Sequence, residues 1–342
     1  MIYRFQNDYS EGAHPRILQA LSDCNYIQSP GYGYDSFCQE AVELIRARCD
    51  APTADVHFVS GGTQANLLVI HAALRSFEAV ISAHTGHINV HEAGAIESTS
   101  HKVCAIPSES SKLTPDMIRS VCSEHSTEMM VHPKIVYISN ATEMGAIYTK
   151  AELTALRACC DELGLYLYLD GARLGSALAA SNGDLTLADL AALTDAFTIG
   201  GTKNGALLGE AIVLTNPGLQ AQFRWHMKQR GAILAKGRLL GIQFLELLKD
   251  DLYFQLAKHA NAMADRLRQG ILELGYEIPI PSSSNLFFPI FPNTVIQQLQ
   301  ANYTFEIDQA IDADNTLIRL VTSWTTPAEA VEAFLADLAN CR

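Results

Sequence analysis

Two segments place charged side chains where an apolar run stops. In YLYLDGARL, Asp170 ends the run Tyr166 to Leu169. In AFTIGGTKNGALLGEA, Lys203 follows the run 196–199 within a loop holding Gly200, Gly201 and Gly205. A buried carboxylate is costly unless donors or a cation meet it. Open α/β sheets bind ligands at the carboxyl ends of their strands. Two such residues on successive strand ends would therefore face one ligand. Taken singly, Asp170 reads as the cap of the next helix and Lys203 as a lysine in a surface turn.

Together they match the needs of pyridoxal phosphate. A lysine amine forms a Schiff base with its aldehyde, and an aspartate keeps the pyridine nitrogen protonated, so that the ring draws electrons. A third segment, SGGTQANLL (60–68), runs from a strand through glycines into a helix. Such a turn offers free backbone N–H groups and the positive end of a helix to an anion. Gly62, Thr63 and Gln64 are the candidate phosphate contacts. Neither GxxxxGK[ST] nor GxGxxG occurs there, which argues against a nucleotide triphosphatase or a dinucleotide fold.

In SAHTGHINVHEAGAIE, His84, His87, His91 and Glu92 lie close together. A zinc helix would need HExxH, and Ala95 stands where its second histidine belongs. No metal is expected. His87 is the best placed to stack on a cofactor ring, whereas His84 and His91 read as structural. In LIRLVTSW, Arg319 lies in an alternating strand, where it either faces solvent or grips a substrate carboxylate with two hydrogen bonds.

The elements that position these residues alternate between short apolar runs and helical stretches. Strands are expected at 56–60, 79–83, 102–107, 134–139, 166–170 and 196–200. Helices are expected at 16–22, 36–49, from Ala65 to about Leu74, at 115–124 and at 150–163. That alternation predicts an α/β sheet, parallel for the most part. Near Lys236 the pattern changes to a long helical stretch reaching about Gly275. Strands in LFFPIF and LIRLVTSW and an amphipathic helix at 327–340 follow. The expected organisation is an N-terminal arm (1–15), a large domain (16–235) and a small α+β domain (236–342).

The 342 residues are 48% hydrophobic and carry a formal net charge of -13. So acidic a chain is not drawn to nucleic acid or an anionic membrane by its overall field. MIYRFQNDYS lacks the basic and apolar regions of a signal peptide. No window approaches the roughly 20 apolar residues of a membrane span. The eight cysteines show no CxxC pair; a reducing cytoplasm is the expected setting.

In order along the chain, NDYSEGAHP, PGYGYD, SGGTQANL, GHINVHEAGA, YLDGARL, TIGGTKNG and IRLVTSW resemble the low-specificity threonine aldolases. These belong to the β-eliminating lyase group of pyridoxal-phosphate enzymes of fold type I. The resemblance runs essentially end to end. It implies a transferase-like α/β fold with a mostly parallel seven-stranded sheet and a smaller C-terminal α+β domain. It also implies a homodimer or homotetramer whose sites lie at a subunit interface. The implied reaction cleaves a β-hydroxy amino acid, threonine or allo-threonine, to glycine and an aldehyde. An aldolase for a bulkier substrate such as phenylserine, or a β-eliminating lyase, is the alternative.

The resemblance makes Lys203 the Schiff-base lysine, Asp170 the pyridinium partner and His87 the stacking ring. Gly62 and Thr63 become the phosphate turn, Arg173 a cofactor or carboxylate contact, and Arg319 the carboxylate-binding arginine. Tyr32 lies near the site, and Arg230 and Lys236 would reach a neighbouring subunit's phosphate. Two departures stand out. Asn7 of Gln6-Asn7-Asp8 replaces a carboxylate-binding serine. Thr142 of Ser139-Asn140-Ala141-Thr142 replaces an active-site histidine, leaving His87, directly or through water, as the expected base for the β-hydroxyl.

Overall fold

The seven-stranded sheet at the centre of the chain has both faces covered, as a mostly parallel sheet requires. In the computed structural model, residues 2–341 are described; Met1 and Arg342, at the outer ends of the expected arm and small domain, lie outside them. The strands are β1 (Asp55–Val59), β2 (Glu78–Ala83), β3 (Lys102–Ile106), β4 (His132–Ser139), β5 (Tyr166–Asp170), β6 (Ala196–Gly200) and β7 (Glu210–Leu214). Their spatial order is β1-β7-β6-β5-β4-β2-β3. Only β7 runs antiparallel to its neighbours. It was not expected from the sequence, because its residues follow the Lys203 loop with no break between them. The other strands and the helices at 15–23, 36–48, 115–124 and 150–163 fall within one or two residues of their expected spans.

Side chains alternate across the sheet. Leu167 and Leu169 enter one core, with Val136 and Ile138 beside them, while Ile135, Tyr137 and Tyr168 enter the core on the other face. Tyr137 pairs with Tyr168, and Ser139 with Asp170, in the β4–β5 register. Asp170 therefore projects to the same face as the two tyrosines. The helix packed there, α1 (Gly62–Ala73), begins three residues earlier than expected and takes Gly62, Thr63 and Gln64 into its first turn.

The ends of β5 and β6 are drawn together at two glycines. A Cβ on Gly171 would lie 1.9 Å from the Thr198 carbonyl oxygen, and one on Gly200 would lie 2.5 Å from that of Ala172. The Gly200 amide donates to the Gly171 oxygen at 3.0 Å. Any side chain here would push the Asp170 and Lys203 strand ends apart.

The helical stretch after Lys236 divides into two helices, α2 (Arg238–Leu248) and α3 (Leu252–Glu273). Asp250 and Asp251 between them have positive φ, which interrupts the helix. Leu286–Phe287 and Ile290–Pro292 form two short strands in place of the strand expected in LFFPIF, and both pair with β8 (Asn315–Val321). The strand Tyr3–Arg4 pairs with Tyr303–Thr304, tying the N-terminal segment to this region. Among the described residues no helix is long and apolar enough to cross a membrane.

Candidate active site

Asp170 is 4% exposed at the end of β5, and its carboxylate is held from three sides. Its Oδ2 accepts from Tyr137 Oη at 2.7 Å and from Asn66 Nδ2 at 2.9 Å. Its Oδ1 accepts from the Ala172 amide at 2.9 Å. Asn66 is fixed in turn, since Tyr168 Oη donates to its Oδ1 at 2.7 Å. A carboxylate has about four acceptor directions, so Oδ1 keeps one for a further donor.

Lys203 stands half-buried one strand away. Burial first, then the charge of Arg173, holds its amine below the usual lysine range, against the pull of Asp8, Asp170 and Glu210. The neutral, nucleophilic form is thereby favoured. Glu210 is the unexpected neighbour. Burial and Asp170 push its carboxyl well above the usual range, although Lys203 pulls it down. Its Oε2 is buried without a partner.

Arg173 is closed on an acid. Its Nε donates to Asp8 Oδ2 at 2.7 Å and its Nη2 to Oδ1 at 3.0 Å. Asn285 Nδ2 adds a bond to Oδ2 at 3.0 Å. Burial alone would raise the Asp8 carboxyl, but Arg173, Lys203 and these hydrogen bonds hold it below the usual range. Arg319 differs. It makes no ion pair among the described residues, and its Nε is buried without a hydrogen-bond partner. Burial, then Arg173, lowers its pKa, with Glu306, Asp8 and Tyr9 acting the other way.

His87 opens the short helix His87–Val90. Its Nδ1 lies 2.7 Å from Glu92 Oε1, the same oxygen that accepts from Asn66 Nδ2 at 2.7 Å. Glu92 thus fixes the ring and its tautomer. His91, read as structural, lies with its ring 5.5 Å from that of His87. Burial and then the charges of His87, Arg319 and Lys203 lower its pKa, which places it at the same site. His84 is turned away, its Nδ1 accepting from the Ser108 amide at 3.1 Å. Among the described residues no group of three or more His, Cys, Asp and Glu is placed to hold a metal.

The first helical bond of α1 is donated by the Ala65 amide to Gly61. The amides of Gly62, Thr63 and Gln64 are thus left facing outward. They border a recess of about 410 Å³ that Ser60, Gly61, Leu67 and Arg230 also line. The Gln64 side chain folds back, its Oε1 accepting from the Ser60 amide and hydroxyl at 3.1 and 2.9 Å. Arg230 thus faces this chain's own turn, whereas Lys236 is exposed elsewhere. Asn7 Oδ1 accepts from the Tyr9 amide and the Ser10 hydroxyl within its own loop. Tyr32 is not brought to Lys203. It is 48% exposed, beneath the Lys228 ammonium 5.0 Å from its ring and on the patch that Tyr34, Arg224 and Trp225 also line.

The sequence profile of the β-eliminating lyases matches residues 27–291. The chain belongs to the β-eliminating lyase family. It is 31% identical to a low-specificity L-threonine aldolase from Pseudomonas aeruginosa, an alignment covering 98% of this chain and 96% of that protein. A low-specificity L-threonine aldolase from a Pseudomonas species is 33% identical, with the same coverage. The solved structure of a threonine aldolase from Leishmania major superposes with a TM-score of 0.98 at 48% identity, covering 99% of each chain. Aspartate aminotransferase from Thermus thermophilus shares the fold, with a TM-score of 0.75 at 16% identity over 100% of this chain and 92% of that one. The family and fold expected from the sequence are therefore those found.

The side chains of this β-eliminating lyase fit pyridoxal phosphate. Asp170 retains an acceptor direction, the Lys203 amine is depressed, three amides and Arg230 surround an open recess, and Arg319 carries a buried, unpartnered Nε. Asn66, Asp8, Glu210 and Glu143, whose Oε1 accepts from the His87 amide, are site residues that no local sequence pattern singles out. Asn66 leaves a partial trace, as an amide on the buried side of an apolar helix.

Proposed function

We propose that this chain is a pyridoxal-phosphate-dependent aldolase cleaving threonine or allo-threonine to glycine and acetaldehyde. One observation carries the reading. Asp170, held by three donors, and Lys203, with its lowered amine, occupy neighbouring strand ends, and Arg319 stands nearby without an acid. When bound, the cofactor supplies an electron sink for the pair released at Cα.

The protein's part can be assigned residue by residue. Lys203 would hold the cofactor's aldehyde carbon, and Asp170 would accept from the protonated ring nitrogen. The amides of Gly62, Thr63 and Gln64, with Arg230, would take the phosphate. His87, oriented by Glu92, would cover the ring. Arg319 would grip the substrate carboxylate with charged hydrogen bonds and so hold the substrate in place. Arg173, neutralised by Asp8, supports the site instead of gripping the carboxylate directly.

The active form is read as a homodimer or homotetramer. Tyr32, Tyr34 and Trp225 are 48%, 59% and 73% exposed on one patch beside Arg224 and Lys228, where a second copy would cover them. A reducing cytoplasm suits the eight cysteines, all of them free thiols.

The test is the visible spectrum of the purified protein with pyridoxal phosphate, before and after L-threonine, with acetaldehyde assayed. A yellow band that responds to threonine, together with acetaldehyde release, supports the reading. A yellow protein that ignores threonine and cleaves phenylserine moves it to the bulkier substrate. A colourless protein overturns it.

A further inference from the structure

The segment leaving β4 turns two successive side chains in opposite directions. Thr142 is fully buried. Its hydroxyl donates to the Ser110 carbonyl at 3.1 Å and accepts from the Ala146 amide at 3.1 Å. The second bond closes the local turn and the first ties it to the segment at Ser110, so the Thr142 hydroxyl, with no exposed surface, is not presented to a ligand.

Glu143 points to the site instead. Its Oε1 accepts from the Ser139 hydroxyl at 2.7 Å and from the His87 amide at 3.0 Å. Ser139 is the register partner of Asp170, so the carboxyl stands beside the strand end that holds Asp170. The other oxygen, Oε2, accepts from no other described residue, and the side chain as a whole is only half-buried. One oxygen is thus anchored at the foot of His87 while the other stays available.

We propose that Glu143 takes the proton of the substrate's β-hydroxyl as the Cα–Cβ bond breaks. It would thereby fill the role that the resemblance gave to a histidine at position 142. The proposal deepens the aldolase reading and rests on it.

The step balances without an added reactant. The hydroxyl proton passes to the Glu143 carboxylate, and the O–H electron pair becomes the second bond of the aldehyde carbonyl. The Cα–Cβ pair remains with Cα, which takes up one proton to give glycine. No oxidant or reductant is involved.

His87, Asp170, Tyr137 and Tyr148 are the titratable neighbours of this carboxyl. Burial raises Glu143 above the usual carboxylate range and Asp170 adds to the rise, while the bonds from Ser139 and His87 oppose it. The proton-accepting form exists above that raised pKa, so cleavage falls as pH drops through it.

Glu143→Gln and Glu143→Asp in the cofactor-loaded protein test the assignment. The Gln variant should keep the visible band and the affinity for pyridoxal phosphate. It should still exchange the α-hydrogen of glycine with deuterated water, a reaction that involves no β-hydroxyl. Its kcat on L-threonine should fall about 10²–10⁴-fold, with KM little changed and the acidic limb of the pH profile lost. The Asp variant should recover part of the rate. Cleavage near the parental rate in Glu143→Gln overturns the proposal. So does a parallel loss of exchange and cleavage, which would make Glu143 a support for His87. A parent protein that takes up no cofactor overturns the aldolase reading itself, an outcome distinct from either.

Discussion

Asp8 and Arg173 form a two-bond pair, Nε to Oδ2 at 2.7 Å and Nη2 to Oδ1 at 3.0 Å, between the N-terminal segment and the loop after β5. Asp8 is 1% exposed, so removing its charge strands a guanidinium beside Lys203. Asp8→Asn should cost about 3 kcal/mol, the low end for a broken buried pair because Arg173 is partly exposed. Urea unfolding would show this as a lower midpoint at unchanged slope. The sign of the pH dependence follows from the lowered carboxyl of Asp8. The folded state binds this proton less readily than the unfolded one. The contribution is therefore complete above the unfolded value of about 3.9 and is lost as pH falls through the lower folded pKa. The gap between parent and variant should narrow only in that acidic window.

Asp170 bears on the chemistry more than on the fold. In Asp170→Asn the amide can still accept from the Ala172 amide, but it gives up the anionic partner of the ring nitrogen. The variant should remain folded and coloured while kcat on L-threonine falls at least about 10²-fold, the scale of one lost preorganised electrostatic contact. Near-parental turnover would remove Asp170 from the electron-sink role. Circular dichroism and the visible spectrum would exclude unfolding as the cause of any loss.

Lys203 is tested by covalency. Borohydride treatment of the cofactor-loaded parent should leave the cofactor's mass on the tryptic peptide containing Lys203. Lys203→Ala should carry no such adduct and should lack the visible band. An adduct on another lysine in that variant would move the assignment. Because burial lowers the amine's pKa, adduct formation should set in at a lower pH than for an ordinary lysine.

How much of this was legible in the sequence depends on distance along the chain. Asp170 and Lys203 announce themselves locally, as a charge after an apolar run and a lysine among glycines. The sheet follows from the same alternation. The partners of Asp170 do not, because Tyr137 and Asn66 lie 33 and 104 residues away from it. Side-chain periodicity names the face each one occupies but not what it meets there. Asp8 carries no local signal, because it binds Arg173 from 165 residues away. Strand β7 was hidden because an antiparallel return needs no intervening helix. The role proposed for Glu143, beside Thr142, turns on a single backbone turn whose direction no spacing rule fixes. Tyr32 shows the converse: its motif matches the family, yet the fold sets it on an exposed patch with Tyr34 and Trp225.

Arg319 joins stability to binding in one side chain. Its Nε is buried without a partner, and burial followed by Arg173 lowers its pKa. An unpaired, half-buried cation costs some folding free energy, and replacing such groups with apolar ones is often neutral or stabilising. Arg319→Leu should therefore raise the urea midpoint or leave it unchanged. The same change removes the two-bond grip on the substrate carboxylate. With charged hydrogen bonds worth about 2–3 kcal/mol together, kcat/KM for L-threonine should fall about 30- to 150-fold. That grip acts on bound substrate and transition state alike, so the loss should appear mainly in KM. Arg319→Lys keeps the charge without the planar fork and should fall between the two. A destabilised Leu variant with unchanged KM would make Arg319 a structural residue and leave the substrate carboxylate to Arg173.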